Sequence, residues 1–199
     1  MTHASAVTGV VLAGGQGRRM GSVDKGLVVL DGKPMVRHVL ERFAPQVDEV
    51  LINANQHHDE YAALGHRVIS DTIGGFAGPL AGLHVALGVA AHALVATVPC
   101  DSPFLPADLV SRLRAALEAG NAQLAVARTF EQPHPVFALV KKDVLPHLTR
   151  FLDAGGRKID AWYATLSTIE VAFDDEADAF RNINTTEELS AAGAPGSAR

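Results

Sequence analysis

A glycine-rich loop placed directly after a short apolar run constrains the fold of this chain more than any other feature. Residues 7–13 are uncharged and rich in β-branched residues, which is typical of a central strand of a parallel sheet that is buried on both faces. The next residues read Gly-Gly-Gln-Gly-Arg-Arg-Met-Gly, with Asp24 and Lys25 close behind. Glycines let backbone amides approach an anion, and the cations supply charge for phosphate oxygens. The pattern therefore predicts a phosphate site at a strand end; a tight turn with solvated arginines is the lesser alternative.

Strand and helix patterns alternate along the rest of the chain. This alternation predicts a three-layer α/β sandwich that is Rossmann-like, with a mostly parallel central sheet and right-handed crossovers. It does not predict the strand order. The predicted strands are 7–13, 26–30, 49–54, 67–70, 93–98, 123–127, 136–140 and 168–173, and the predicted helices are 35–43, 80–91, 106–118, 142–152 and 157–166.

Composition bounds the class of protein. With 199 residues, of which 48% are hydrophobic, and no compositional break, we expect one domain over residues 1–199 with a frayed tail at about 191–199. The net charge of −5 argues against a nucleic-acid partner or an anionic membrane surface. The single cysteine, Cys100, can form no intramolecular disulfide and no cysteine-rich zinc site. These features predict a cytoplasmic protein.

One uncharged stretch, residues 72–100, is long enough to imitate a membrane span. Several glycines crowd its first part, His84 and His92 interrupt the remainder, and Pro99 stands near its end. A loop, a buried helix and a buried strand explain it better than a bilayer helix does. The N-terminus also lacks the basic region and apolar run of a secretory signal. We therefore expect no membrane association.

Two common phosphate-binding loops do not fit this sequence. A Walker A loop needs glycine followed by lysine and then serine or threonine, whereas Lys25 precedes Gly26. A dinucleotide fingerprint needs a third glycine where Met20 stands, and the second strand ends in Asn53 rather than in an acidic residue. Both a P-loop NTPase and an NAD-dependent dehydrogenase are disfavoured.

The loop, with Asp24-Lys25 behind it, resembles the signature of nucleotidyltransferases, and most closely that of the molybdenum cofactor guanylyltransferases. The resemblance covers nearly the whole chain. The loop alone would not separate this family from sugar-nucleotide pyrophosphorylases or cytidylyltransferases. The further matching motifs are Asn53-Ala54-Asn55, Asp71, Gly78-Pro79-Leu80-Ala81-Gly82, Pro99-Cys100-Asp101 and Asn182-Ile183-Asn184-Thr185.

The resemblance implies a nucleotidyltransferase fold and a set of catalytic and nucleotide-binding residues. Asp101, at a predicted strand end, is suited to hold Mg²⁺ against triphosphate oxygens, with a helix cap as the alternative. Arg19 and Lys25 are suited to neutralise charge as pyrophosphate leaves, and Arg18 ranks below them. The implied nucleotide-binding residues are Leu12, Ala13, Gly14, Gly15, Lys25, Asn53, Asp71 and Asp101, although Asn53 and Asp71 also suit a turn and a helix entry.

The acceptor side is implied by the same resemblance. Asn182 and Asn184 are two residues apart in a predicted extended segment, so both side chains would point to one side. Both could form hydrogen bonds with the edge of a pterin. Arg157 follows two glycines in a second basic turn, for which an exposed turn with solvated charges is the alternative reading. Gly78 and Gly82 complete the predicted acceptor set. His134 lies between two prolines and could line the same cleft or be structural.

The sequence as a whole predicts an enzyme that uses Mg²⁺ and GTP and transfers GMP to the phosphate of molybdopterin or Mo-molybdopterin. Transfer releases pyrophosphate and forms the guanine dinucleotide cofactor. We expect a monomer whose product passes to molybdoenzyme maturation proteins. Two alternatives stay open: a nucleotidyltransferase that uses CTP or a sugar phosphate, and a nucleotide sensor without catalysis.

Overall fold

The structure is a computed structural model that describes residues 5–15, 24–74, 78–183 and Glu188. Within those residues the core is one seven-stranded sheet, in the order β5-β4-β1-β6-β8-β7-β9, and a small antiparallel β2-β3 hairpin lies outside it. The sheet strands are β1 (Val7–Leu12), β4 (Glu49–Asn53), β5 (Arg67–Ile69), β6 (Leu94–Pro99), β7 (Leu124–Thr129), β8 (Gln132–Lys141) and β9 (Thr168–Ala172), and the hairpin strands are β2 (Val29–Leu30) and β3 (Lys33–Pro34).

The pairing of the strands puts most carboxyl ends at one edge of the sheet. β1 pairs in parallel with both β4 and β6, β4 pairs in parallel with β5, and β7 pairs in parallel with β9. β8 is antiparallel to both of its neighbours, β6 and β7. Six of the seven described sheet strands therefore point the same way, as the mostly parallel prediction required.

β1 is buried on both faces, as its uncharged sequence predicted. Val7 and Val11 face one hydrophobic core, and Val10 between them faces the other, because successive side chains of a strand alternate. The helices α1, α2 and α4 contribute to the first core, and α3, α5 and α6 contribute to the second. Their bounds are α1 (Met35–Phe43), α2 (His58–Ala62), α3 (Pro79–Val89), α4 (Leu109–Ala119), α5 (Leu145–Asp153) and α6 (Ile159–Tyr163). The three-layer prediction is confirmed.

One crossover connection departs from the predicted handedness. The β1-α1-β4 and β4-α2-β5 connections move along the strand order in one direction, with their helices on one face of the sheet. The β5-α3-β6 connection moves in the opposite direction with its helix on the other face, so all three connections have the same handedness. The β6-α4-β7 unit steps in the same direction as β5-α3-β6 but carries its helix on the face of α1. Since right-handed connections dominate, the α4 connection is the left-handed one. The prediction of right-handed crossovers was wrong for this unit. The loop before α4 contacts α1 through the bond from Arg42 to the Leu105 carbonyl, and α4 contacts the turn after α1 through the bond from the Val110 amide to Gln46 Oε1.

Several element boundaries differ from the sequence predictions, and one helix was missed. The predicted strand 26–30 is reduced to Val29–Leu30 after a 3-10 turn, and the predicted helix 157–166 is reduced to Ile159–Tyr163. α4 begins at Leu109, after a turn that contains Pro106, rather than at the proline itself. β8 extends back to Gln132 because a register shift in β7 between Val126 and Ala127 accommodates its proline-rich start. The short helix α2 was not predicted from the sequence.

The uncharged stretch 72–100 contains a loop, the eleven-residue α3 and the strand β6. None of the helices in the described part of the chain has the length and apolar character needed to cross a bilayer.

Candidate active site

The carboxyl edge of the sheet brings the ends of β1, β4 and β6 together. The Ala13 amide donates to the Asn53 carbonyl at 2.8 Å, and the Cys100 amide donates to the Leu12 carbonyl at 3.2 Å. Leu12, Ala13, Gly14 and Gly15 therefore leave the sheet between two neighbouring strand ends. Residues 16–23 of the loop, which include Arg18 and Arg19, lie outside the described residues. The predicted role of Arg19 stays a prediction.

Three polar side chains form a network beside the end of β1. Asn53 and Asn55 each donate from Nδ2 to a different carboxylate oxygen of Asp71, both at 2.8 Å. The Asp71 amide in turn donates to Asn55 Oδ1 at 2.9 Å. Asn53 is 2% exposed, whereas Asp71 is half-buried and Asn55 is exposed. The network leaves further lone pairs of Asp71 for a ligand, since a carboxylate has about four acceptor positions.

Two glycines allow this network to pack closely. A Cβ on Gly82, in the second turn of α3, would lie 2.3 Å from Asn53 Oδ1. A Cβ on Gly14 would lie 2.8 Å from Asn55 Nδ2. Gly82 thus lies against the predicted nucleotide-binding Asn53; contact with an acceptor stays a prediction.

The predicted catalytic residues Lys25 and Asp101 form an ion pair. Lys25 Nζ lies 3.1 Å from Asp101 Oδ2, and the two side chains are 23% and 11% exposed. Lys25 begins a short 3-10 turn, Lys25–Leu27, which Asp24 caps by accepting from the Gly26 amide at 3.1 Å. Asp101 lies two residues after the end of β6. The structure thus brings together two residues that are 76 positions apart in the chain.

The donor set suits magnesium better than a closed metal site. No group of three or more His, Cys, Asp or Glu side chains that could hold a metal occurs in the described ranges. Asp101 Oδ1 has no hydrogen-bond partner among those residues, whereas Oδ2 accepts a hydrogen bond from Lys25 Nζ. Mg²⁺ is commonly held by one or two carboxylates together with substrate phosphates and water. A single carboxylate beside a phosphate loop fits that pattern.

Cys100 precedes Asp101 but is placed for packing. Burial raises the pKa of the Cys100 thiol, the neighbouring Asp101 and Asp24 raise it further, and the side chain is 7% exposed. A thiol with a raised pKa holds little thiolate at neutral pH and is a weak nucleophile. The geometry therefore suits Cys100 to packing rather than to nucleophilic chemistry.

Asn182, predicted on the acceptor side, lies close to Asp101. The fully buried Ser102 donates its hydroxyl to Asn182 Oδ1, and the Ile183 amide donates to the Asp101 carbonyl at 2.9 Å. These two bonds tie the late asparagine segment to the strand end that carries Asp101. Asn184 lies outside the described residues.

The second basic turn mainly ends a helix. Arg157 Nη1 donates to the carbonyls of Leu152 and Gly156 at 2.8 and 2.6 Å, and Gly155 has a φ of +87°. This arrangement satisfies carbonyl groups at the end of α5. Arg157 is exposed, and acceptor binding there stays a prediction. Gly78, with a φ of +57°, precedes the first residue of α3.

His134 has structural partners. It bonds Thr129 Oγ1 at 2.7 Å and stacks on Phe180 with ring centroids 4.7 Å apart. Burial lowers the pKa of the His134 imidazole. Of the two readings of His134, this environment favours the structural one.

Sequence reasoning missed three residues of this edge. Asn55 was inside a matching motif but was not assigned a contact, and Ser102 was assigned no role. Tyr61 carried no sequence signal, because it lies in the helix that was not predicted; its hydroxyl donates to Asp24 Oδ1 at 2.6 Å.

The fold and site define a class: an α/β protein with a glycine-rich segment after its first strand, a lysine-carboxylate pair and a polar network at the carboxyl ends of parallel strands. Residues 9–168 match the model of the MobA-like NTP transferase domain. The chain belongs to this family of nucleotidyltransferases.

Curated relatives and a solved structure agree with this assignment. The chain is 50% identical over 182 residues to the molybdenum cofactor guanylyltransferase of Shewanella sp. (strain ANA-3). The aligned region covers 92% of each chain. It is also 50% identical over 195 residues to that of Burkholderia orbicola (strain MC0-3), covering 94% of this chain and 95% of the relative. A crystal structure of molybdopterin-guanine dinucleotide biosynthesis protein A from Archaeoglobus fulgidus superposes with a TM-score of 0.78 at 26% identity, covering 94% and 96% of the two chains.

Proposed function

We propose that this protein transfers GMP from GTP to the phosphate of molybdopterin or Mo-molybdopterin. An acceptor phosphate oxygen forms a bond to the α-phosphorus of GTP as the bond to pyrophosphate breaks. The observation that carries the proposal is the Lys25-Asp101 pair, which lies at the same sheet edge as the Asn53-Asp71 network. The relatives named molybdenum cofactor guanylyltransferase support the choice of donor and acceptor.

The reaction needs no protein nucleophile. A phosphate acceptor is already ionised at neutral pH, so catalysis rests on orientation and on neutralisation of negative charge. Lys25 offers a positive charge held in place by Asp101, and Arg19 adds a second from the loop. Mg²⁺ held by Asp101 would neutralise triphosphate oxygens.

Nucleotide binding is assigned to both sides of the loop. The backbone of Leu12, Ala13, Gly14 and Gly15 would lie along the nucleotide, since glycine permits close approach. Asp71 would accept from guanine N1 and N2 or from ribose through the lone pairs that the asparagines leave open. Asn53 fixes Asp71 and offers its own Oδ1.

The acceptor is assigned to the neighbouring part of the edge. Asn182 accepts from Ser102 through Oδ1, so its Nδ2 is left to donate toward a pterin. Asn184 and the remaining guanidinium nitrogens of Arg157 are the further proposed contacts, with Gly78 and Gly82 at the start of α3. We also propose a monomeric cytoplasmic enzyme that passes its product to molybdoenzyme maturation proteins.

The test is pyrophosphate release with Mg²⁺, each nucleoside triphosphate in turn, and molybdopterin present or absent. We expect release with GTP that depends on the acceptor. Release with CTP instead would indicate the related cytidylyl activity, and GTP binding without any release would indicate a nucleotide sensor.

The matched variants are Asp101→Asn and Glu49→Gln. Each removes one partly buried carboxylate charge, but Glu49 lies at the start of β4, at the opposite edge of the sheet. We expect Asp101→Asn to lower kcat by about 10²-fold or more, as loss of a transition-state charge contact does. Near-normal activity of Asp101→Asn at low Mg²⁺ would overturn the role of Asp101, and Glu49→Gln should retain activity.

A further inference from the structure

Lys25 lies between Asp24, which Tyr61 hydrogen-bonds, and Gly26, which packs against the same phenol. The Tyr61 hydroxyl donates to Asp24 Oδ1 at 2.6 Å, and the same oxygen accepts from the Gly26 amide at 3.1 Å. The backbone on both sides of Lys25 is therefore fixed by one carboxylate oxygen and one phenol.

Gly26 also packs directly against Tyr61. A Cβ at Gly26 would lie 2.4 Å from the Tyr61 hydroxyl oxygen and 3.3 Å from the Cβ of Cys100. The turn that carries Lys25 is consequently in contact with both α2 and the end of β6. Asp101, the partner of Lys25, is the next residue after Cys100.

Tyr61 itself is held rigidly. It is completely buried in the core beside α1, and its helix is tied to the sheet by His58 Nε2, which bonds the Ala54 carbonyl at 3.0 Å and Ser70 Oγ at 2.9 Å. Ala54 and Ser70 directly follow β4 and β5. The position of the phenol is thus set by the same strand ends that carry the Asn53-Asp71 network.

We propose that Tyr61 is a positioning residue whose hydroxyl, acting through Asp24, holds Lys25 against Asp101 for nucleotidyl transfer. The proposal rests on the catalytic role proposed above for Lys25. A lysine side chain is flexible and loses rotamer freedom when it is fixed, so a turn that is already fixed removes part of that cost before the transition state forms. The charge-assisted bond from phenol to carboxylate is of the kind that can hold such a turn.

The chain offers a close control, because its only other tyrosine is also a buried phenol that donates one hydrogen bond, in this case to a backbone carbonyl. Tyr163 is 7% exposed, packs in the second core with α6, and donates its hydroxyl to the Pro135 carbonyl at 2.7 Å. Burial raises the pKa of both phenols, so each is a neutral donor. Tyr61→Phe and Tyr163→Phe therefore delete one buried hydroxyl each, on opposite faces of the sheet.

The first measurement is the rate at which acetic anhydride modifies Lys25 in each variant, followed by mass spectrometry. We expect the rate of Lys25 acetylation in Tyr61→Phe to differ several-fold from the rate in the original chain. In Tyr163→Phe the rate should equal that of the original chain. This measurement does not involve guanylyl transfer, so it tests the positioning even if the proposed donor or acceptor is wrong. An unchanged Lys25 rate in Tyr61→Phe would overturn the inference.

The second measurement is steady-state kinetics with GTP. We expect Tyr61→Phe to lower kcat roughly tenfold with a smaller effect on KM, as loss of one hydrogen bond to a charged group would. Tyr163→Phe should keep the kcat of the original chain. Its loss of thermal stability should be similar to that of Tyr61→Phe. Equal losses of kcat in the two variants would mean that Tyr61 acts only on stability and would overturn the proposal.

A double-mutant cycle tests the route through Asp24. In the Asp24→Ala background, Tyr61→Phe should cause little further loss of kcat, because the acceptor of its hydrogen bond is already gone. Full additivity of the two losses would show that Tyr61 does not act through Asp24.

Discussion

Individual glycines at this site are required by close approach rather than by unusual backbone angles. Gly14, Gly26 and Gly82 each stand where a Cβ would come within 3.0 Å of a polar side-chain atom of the site. None of the three has a positive φ. Their role is to let Asn53, Asn55 and the Lys25 turn pack against neighbouring backbone.

Gly82→Ala should disturb the Asn53-Asp71 network, to which nucleotide binding is assigned in the proposed function. The new methyl group would meet Asn53 Oδ1 and Leu12, so we expect a loss of about 1–3 kcal/mol of unfolding free energy and weaker GTP binding. Gly88→Ala is the control, because it lies in the same helix with open space around its Cβ position. That variant should gain up to about 1 kcal/mol from helix propensity. Denaturant unfolding and GTP titration distinguish the two variants, and equal effects would contradict the packing argument.

At the scale of elements, a carboxylate joins three segments at the edge opposite the site. Glu49 Oε2, at the start of β4, accepts from Thr8 Oγ1 of β1 at 2.6 Å and from the Ala91 amide after α3 at 2.8 Å. Partial burial alone would raise the pKa of the Glu49 carboxyl, but the Thr8 hydroxyl and the Ala91 amide outweigh it and lower the pKa. This contact contributes to stability and leaves the site untouched.

The contribution of Glu49 should therefore depend on pH. A folded-state pKa below the unfolded value means that the stabilisation is present above the unfolded pKa, about 4.3 for glutamate, and is lost as the pH falls through the folded pKa. We expect Glu49→Gln to be about 1 kcal/mol less stable than the original chain at pH 7. Urea unfolding at pH 7, 5 and 3 should show this difference shrinking at the lowest pH. A constant difference would mean that the carboxylate charge plays no part.

At the scale of the whole molecule, two hydrophobic cores share one sheet. The strand β1 contributes to both, and α4 crosses back to the face of α1 through the left-handed connection. Because the same sheet forms one wall of each core, loss of packing in either core would expose one face of the sheet.

We therefore predict one cooperative unfolding transition for the chain. Calorimetry should give a calorimetric enthalpy equal to the van't Hoff enthalpy, as expected of a single domain. Two resolved transitions would contradict a single domain. Light scattering should give a mass near 20.9 kDa if the predicted monomer is correct.

The local sequence pattern determined much of this fold and part of the site. Hydrophobic periodicity predicted α1 at its observed bounds and the four strands β1, β4, β5 and β6 to within one residue at each end. The sequence also singled out Asn53, Asp71 and Asp101 as candidate site residues, each near the end of a predicted strand. The structure places Asn53 and Asp71 in hydrogen-bond contact, which the sequence did not predict.

The sequence by itself determined the layers, the strand ends and the chemistry collected there, because these depend on short-range periodicity and on residue type. Only the tertiary structure decided the strand order, the left-handed α4 connection and the pairing of Lys25 with Asp101. It also decided the place of Tyr61 against the Lys25–Leu27 turn. These features depend on contacts between segments that are distant in the chain. A local sequence pattern does not indicate which distant side chain packs against a given glycine.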